Sequence, residues 1–160
     1  AETGFDPSYI EETGEHSASK SSWSYLFASP GVPGIMKGMS ASDFLWCIQR
    51  NVILKLAEEA PCVIVGRCAD YILKEHKPFR LFVYADMESK IKRCREKGPK
   101  EETLSDKELR QKISSIDKKR AKYYAFYTGH PWGDKLNFDL CINTTQTAVK
   151  EIVPVIAKLF

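Results

Sequence analysis

Long apolar runs are missing from this 160-residue chain. None approaches the roughly 18 to 20 residues that a membrane-spanning helix needs, so no membrane partner is expected. The opening residues Ala1, Glu2, Thr3 and Gly4 lack the basic-then-apolar pattern of a secretory signal. Cysteines number five, and no two are spaced as C-x-x-C. Cys62 and Cys141 lie inside apolar runs, where a free thiol behaves as a small hydrophobe. A reduced, cytoplasmic protein is expected. The three histidines, His16, His76 and His130, are scattered and form no H-E-x-x-H or Cys/His cluster, so no zinc or other protein-held metal is expected. With no G-x-S-x-G motif, and no cysteine in a local catalytic pattern, a Ser/His/Asp or Cys/His hydrolase has no support. Charge of one sign is also scarce, because 24 Lys and Arg stand against 21 Asp and Glu for a net +3. That balance suits an anionic small ligand and gives nucleic acid no large electrostatic footprint.

What is present fits a folded protein. A hydrophobic fraction of 43% with 28% charged residues argues against wholesale disorder. The length suits a single domain over residues 1–160. Residues 1–40 are weakly organised. Asp6 and Pro7 could open a short helix. A Ser-rich stretch then leads to Trp23-Ser24-Tyr25-Leu26-Phe27, and Ser29 to Gly38 reads as a loop.

Beyond Ser40 the periodicity is clear. Ser40 and Asp43 form a capping signal, and Leu45, Ile48, Val52 and Leu56 recur at helical spacing until Pro61. Cys62-Val63-Ile64-Val65 is continuous and apolar, which predicts a strand buried on both faces and ending at Gly66-Arg67. A short helix is expected over 70–74, and a second strand over 80–84. A basic helix over 87–97 follows, stopped by Gly98-Pro99. Ser105 and Glu108 form a capping box for a long helix reaching Tyr127. A third strand is expected over 138–142, then a last helix capped by Thr144 or Thr145 and kinked at Pro154. This order predicts an α/β three-layer sandwich with a mainly parallel sheet.

Two places could carry chemistry. In an open parallel sheet, ligands bind at the carboxyl ends of the strands. Arg67 is expected there, and a guanidinium fixed at that rim suits phosphate oxygens; equally, it could solvate a strand end or pair with Asp70. The long helix carries Lys107, Arg110, Lys112, Lys118, Lys119, Arg120 and Lys122 against Asp106, Glu108 and Asp117. It reads either as a solvated face or as a clamp that neutralises charge in phosphoryl transfer. Tyr123, Tyr124 and Tyr127 could stack on a base or belong to the core. An RNA-binding module using the basic helix remains an alternative.

Three blocks, in order, carry a resemblance. They are Cys62-Val63-Ile64-Val65-Gly66-Arg67-Cys68-Ala69-Asp70-Tyr71-Ile72-Leu73; then Asp117-Lys118-Lys119-Arg120-Ala121-Lys122-Tyr123-Tyr124 running on through Tyr127-Thr128-Gly129 and Trp132-Gly133; and Asn137-Phe138-Asp139-Leu140-Cys141-Ile142-Asn143-Thr144. Together they resemble the cytidylate kinase-like family, within the P-loop nucleoside monophosphate kinases. The resemblance implies a phosphotransferase moving the γ-phosphoryl of ATP, with Mg2+, to a nucleoside monophosphate, CMP being favoured. It implies that Arg67 holds the acceptor phosphate with Asp70 in support. Residues 20–40 would form the acceptor region and residues 98–128 a lid. In that lid Arg120, with Lys119, would reach the transferred group, and Asp117 would orient Arg120. Arg93 would lie near the nucleotide.

One family feature is missing from the 160 residues, namely G-x-x-x-x-G-K-[ST] after a first strand. Gly31-Val32-Pro33-Gly34-Ile35-Met36-Lys37-Gly38 has the wrong spacing, and its proline lacks an N–H for cradling an anion. The expectation is a chain whose first strand and phosphate loop precede Ala1. A non-catalytic nucleotide-binding protein of the same fold is the alternative.

Overall fold

The computed structural model describes residues 40–97 and 104–160. The expected helix at Asp6, the loop from Ser29 to Gly38 and the Gly98-Pro99 stop lie outside these residues. The described residues group into two compact units. Of the described residues, one unit contains 40–78 together with Lys119–Trp132, and the other contains 79–97, 104–118 and Gly133–Phe160.

In the first unit, helix α1 spans Ala41–Glu59. Its start is fixed by Ser40, whose hydroxyl accepts from the Asp43 amide at 3.1 Å and donates to the Asp43 carboxylate at 2.5 Å. Helix α2, Ala69–Ile72, is a single turn continued by a 3-10 turn over Lys74–His76. Ile53 of α1 packs with Ala69, Ile72 and Leu73 to make a buried cluster. Trp46, Leu54, Ala57 and Ile64 lie against it.

The second unit holds strand β1, Leu81–Tyr84, helix α3, Met87–Lys97, and strand β2, Leu140–Asn143. The long helix α4, Asp106–Thr128, begins in this unit and ends in the first. Its capping box forms in full: the Glu108 carboxylate accepts from the Ser105 amide at 2.7 Å, and the Ser105 hydroxyl accepts from the Glu108 amide at 3.3 Å. The Ser105 hydroxyl also donates to the Glu108 carboxylate at 2.6 Å, and this bond, followed by that from the Ser105 amide, lowers the Glu108 pKa. Charge pairs lace α3 to the first turns of α4. Arg95 reaches Asp106 at 2.9 Å, Lys90 reaches Asp117 at 2.6 Å, and Arg110 reaches Glu88.

β1 and β2 pair in parallel from Leu81 opposite Leu140 to Tyr84 opposite Asn143. A parallel pair cannot be closed by a hairpin, and α3 and α4 supply the crossover chain. Arg80 and Asp139, just ahead of the strands, set the register. The Asp139 carboxylate accepts from the Arg80 amide at 2.8 Å and from its guanidinium at 2.8 and 3.1 Å. The Asp139 amide in turn donates to the Arg80 carbonyl at 2.9 Å.

Two expectations are corrected. Among the described residues the sheet has two strands rather than three. Residues 62–65 are not a strand: Ile64 packs on the core, while Val63 and Val65 are 94% and 88% exposed and Cys62 is also exposed. A short apolar run looks the same in sequence whether one face or both are covered, and here only one is. The last helix, α5, spans Val149–Ile156 with Pro154 inside it, and its N-cap is Ala148 rather than a threonine. Thr144 and Thr145 are spent elsewhere, on Arg93 and Tyr84 and on the amide of Asp86.

Candidate functional site

The sequence Gly66-Arg67-Cys68 makes an unusual turn, with three successive positive φ angles of 74°, 54° and 54°. Glycine adopts that region freely, whereas Arg67 and Cys68 each carry a cost of about 1–2 kcal/mol. The core over-determines the turn. Cys68, Ala69 and Ile72 are buried, and the Cys68 carbonyl accepts from the amides of Tyr71 at 3.0 Å and Ile72 at 2.9 Å. Backbone strain held in this way is characteristic of ligand-binding positions.

The carboxyl-terminal part of α4 meets this turn. The Tyr123 hydroxyl donates to Oε1 of Gln49 at 3.4 Å, and the nearby Arg67 guanidinium partly offsets the effect of burial on this phenol. The Tyr124 hydroxyl donates to the Asp70 carboxylate at 2.6 Å. Of two consecutive tyrosines, Tyr124 therefore holds Asp70, and Tyr123 lies near Arg67. Burial pushes the Tyr123 phenol up to about 12, so it is neutral at ordinary pH. Burial also pushes the Cys68 thiol up to about 12, which leaves it a structural thiol and not a nucleophile.

Lys119 and Arg120 precede these tyrosines by one helical turn, and Arg120 is three and four residues from Tyr123 and Tyr124, a spacing that makes neighbours on a helix surface. Arg120 is exposed and Lys119 half-buried. Asp117 is bonded by Lys90. In the second unit, Arg93 lies at the carboxyl ends of the strands, where it donates to the Thr144 hydroxyl at 3.1 Å and to the Thr144 carbonyl.

The chain matches the cytidylate kinase-like family over residues 1–146. It belongs to that family. Membership supports a nucleotide-kinase-like function with nucleotide substrates. In the search of solved structures, an uncharacterized protein from Eubacterium ventriosum ATCC 27560 is 31% identical to this chain, with a TM-score of 0.65. The likeness covers 74% of this chain and 73% of that one. Among curated proteins there is no match.

Several site residues of this family member were not assigned by the sequence. Tyr123 and Tyr124 read as either base-stacking or core rings; their hydroxyls bond Gln49 and Asp70. Tyr127 packs in parallel on Trp46 with ring centroids 4.1 Å apart, and its hydroxyl donates to the Ser42 carbonyl, so its ring face is occupied by the protein. Gln49 carried no sequence signal at all. The acceptor-region segment 20–40 lies outside the described residues except for Ser40, as do residues 98–103 of the lid segment.

Kinase-like chemistry implies Mg2+ alongside ATP. The described residues do not fit a metal site of their own: no three His, Cys, Asp or Glu side chains cluster among them. Asp70 and Asp117 are engaged by Tyr124 and Lys90. No helix of the described residues is long and apolar enough to cross a membrane.

Proposed function

We propose that this cytidylate kinase-like protein transfers the γ-phosphoryl of ATP to a nucleoside monophosphate, with CMP the favoured acceptor, giving ADP and CDP. The observation that carries the reading is Arg67, held in a left-handed turn near Tyr123 of the helix that also bears Lys119 and Arg120. Phosphoryl transfer needs little covalent chemistry from protein, and depends on positioning the two phosphates and neutralising their charge. In this reading Arg67 receives the acceptor phosphate and Asp70 supports the acceptor site. Lys119 and Arg120 neutralise the transferred group, and Asp117 orients Arg120. Arg93 lies near the nucleotide at the rim where β1 and β2 end, a position where α/β sheets bind ligands. The proposal includes a three-layer P-loop kinase architecture for the whole domain, residues 98–128 as its lid and 20–40 as its acceptor region. The free cysteines suit a cytoplasmic setting.

A second reading is nucleotide binding without transfer. Steady-state assay with CMP and MgATP separates the two. ADP formation that depends on CMP supports transfer, and CMP binding without ADP formation supports the binding protein. Both readings require Arg67→Ala to weaken CMP binding by roughly 1.5 to 3 kcal/mol, the range for hydrogen bonds to charged groups. Unchanged affinity removes Arg67 from the site.

A further inference from the structure

We infer that Tyr124 is a positioning residue: its hydroxyl sets the Asp70 carboxylate so that the carboxylate can accept a hydrogen bond from an O–H or N–H of the acceptor nucleoside. The inference rests on the reading of Asp70 as part of the acceptor site.

The Tyr124 hydroxyl donates to Oδ2 of Asp70 at 2.6 Å, the length of a charge-assisted O–H···O bond. A half-buried aspartate otherwise turns about its side-chain torsions, and fixing it in one rotamer at the moment of binding subtracts from affinity. Here both ends of the bond are held in advance. Tyr124 is only 6% exposed, and the Thr128 hydroxyl donates to its carbonyl at 2.7 Å. Thr128 is buried in turn and accepts from the His130 amide at 3.1 Å, so the helix end that carries the phenol is tied down. On the other side, the backbone around Asp70 is fixed by the Cys68 carbonyl, which accepts from the amides of Tyr71 and Ile72. With Oδ2 engaged, Oδ1 stands in a fixed direction as a second acceptor. An ionised carboxylate accepts and does not donate, and it repels a phosphate, so the ligand group that suits it is a donor. A nucleoside monophosphate carries such donors on its sugar hydroxyls and, in cytosine, on the exocyclic amine. Tyr124 touches no substrate in this scheme and acts only through Asp70.

The test is a double-mutant cycle of Tyr124→Phe and Asp70→Ala, read by calorimetric binding of CMP, of CMP analogues lacking one or the other sugar hydroxyl, and of UMP, which lacks the amine. Tyr124→Phe keeps the ring and removes only the oxygen. The expected result is a roughly two- to tenfold loss of CMP affinity, the range for one net hydrogen bond, with no further loss in an Asp70→Ala background. The loss should vanish for the one ligand that lacks the donor Asp70 receives. A deoxy analogue would name a sugar hydroxyl, and UMP would name the amine. A loss that is undiminished for every ligand, or that persists beside Asp70→Ala, makes Tyr124 a packing residue and overturns the proposal. If Asp70→Ala weakens CMP binding and Tyr124→Phe does not, the positioning role is overturned and Asp70 keeps its place in the site. If Asp70→Ala itself has no effect, the reading of Asp70 fails first and takes the proposal with it. Should Tyr124→Phe fail to fold, Asp70→Glu decides, because it keeps the charge and carries the carboxylate one methylene past the hydroxyl. A loss of CMP affinity close to that of Asp70→Ala supports the role, and affinity close to the parent's sinks it.

Discussion

Arg93 on α3 donates to both the hydroxyl and the carbonyl of Thr144, and so closes the carboxyl end of the sheet. Thr144 is only 1% exposed, and its hydroxyl passes the bond on to the Tyr84 carbonyl at 3.0 Å. Its amide donates to the same carbonyl at 2.8 Å. The last residue of β1, the residue after β2 and the middle of α3 thus share one network. Arg93→Ala leaves the Thr144 carbonyl without its charged donor. The expected loss of stability is roughly 1.5 to 3 kcal/mol, measured by urea denaturation. A change within about 0.5 kcal/mol, usual for surface substitutions, would make the contact incidental.

The elements that sequence predicted well are those whose signals are local. Ser40 and Ser105 each bond an amide three residues on, so both helix starts could be seen in the residue order. Residues 80–84 contain the first strand that forms, and residues 138–142 overlap the second, which starts at Leu140 and runs one residue further to Asn143. What stayed hidden depends on partners distant in the chain. Arg93 and Thr144 are 51 positions apart, and Tyr124 and Asp70 are 54. Nothing in either neighbourhood marks such a pairing. Residues 62–65 misled for a different reason: composition reports that a segment is apolar and is silent on how many of its faces are covered. The tyrosines of α4 misled because aromatic spacing describes the ring, whereas their bearing on the site comes from the hydroxyl.

Gly133 is required by its backbone and by its neighbour. Its φ is +80°, and a Cβ there would meet the Phe82 ring at 2.9 Å. That ring cannot easily retreat, since Phe138 packs on it at 4.9 Å and Tyr84 lies stacked at 6.2 Å. Gly133→Ala should therefore destabilise by about 1–3 kcal/mol, combining left-handed strain with displacement of the ring. The two contributions can be separated in a Phe82→Leu background, where a smaller side chain relieves the contact. There the cost of Gly133→Ala should fall but not vanish. Equal costs in both backgrounds would leave strain alone as the cause.

The Arg80–Asp139 staple makes the register of the sheet sensitive to acid. The Arg80 side chain, and then its amide, hold the Asp139 carboxyl down at about 2. An unfolded chain has no such partner, and its aspartate titrates near 3.9, about the model-peptide value. A carboxyl with a depressed pKa in the folded state contributes stability that is fully present above the unfolded value and is lost as pH falls toward the folded one. Asp139→Asn keeps the shape and abolishes the charge. The substituted chain should be less stable than the parent at pH 7, and the gap should narrow as pH drops from about 5 to 3, measured by urea denaturation at each pH. Because both side chains are more than a third exposed, added salt should shrink the same gap at pH 7. A difference that stays constant between pH 7 and 3 would assign the effect of Asp139 to shape and neutral hydrogen bonding, and would take the charge out of the mechanism that sets the strand register.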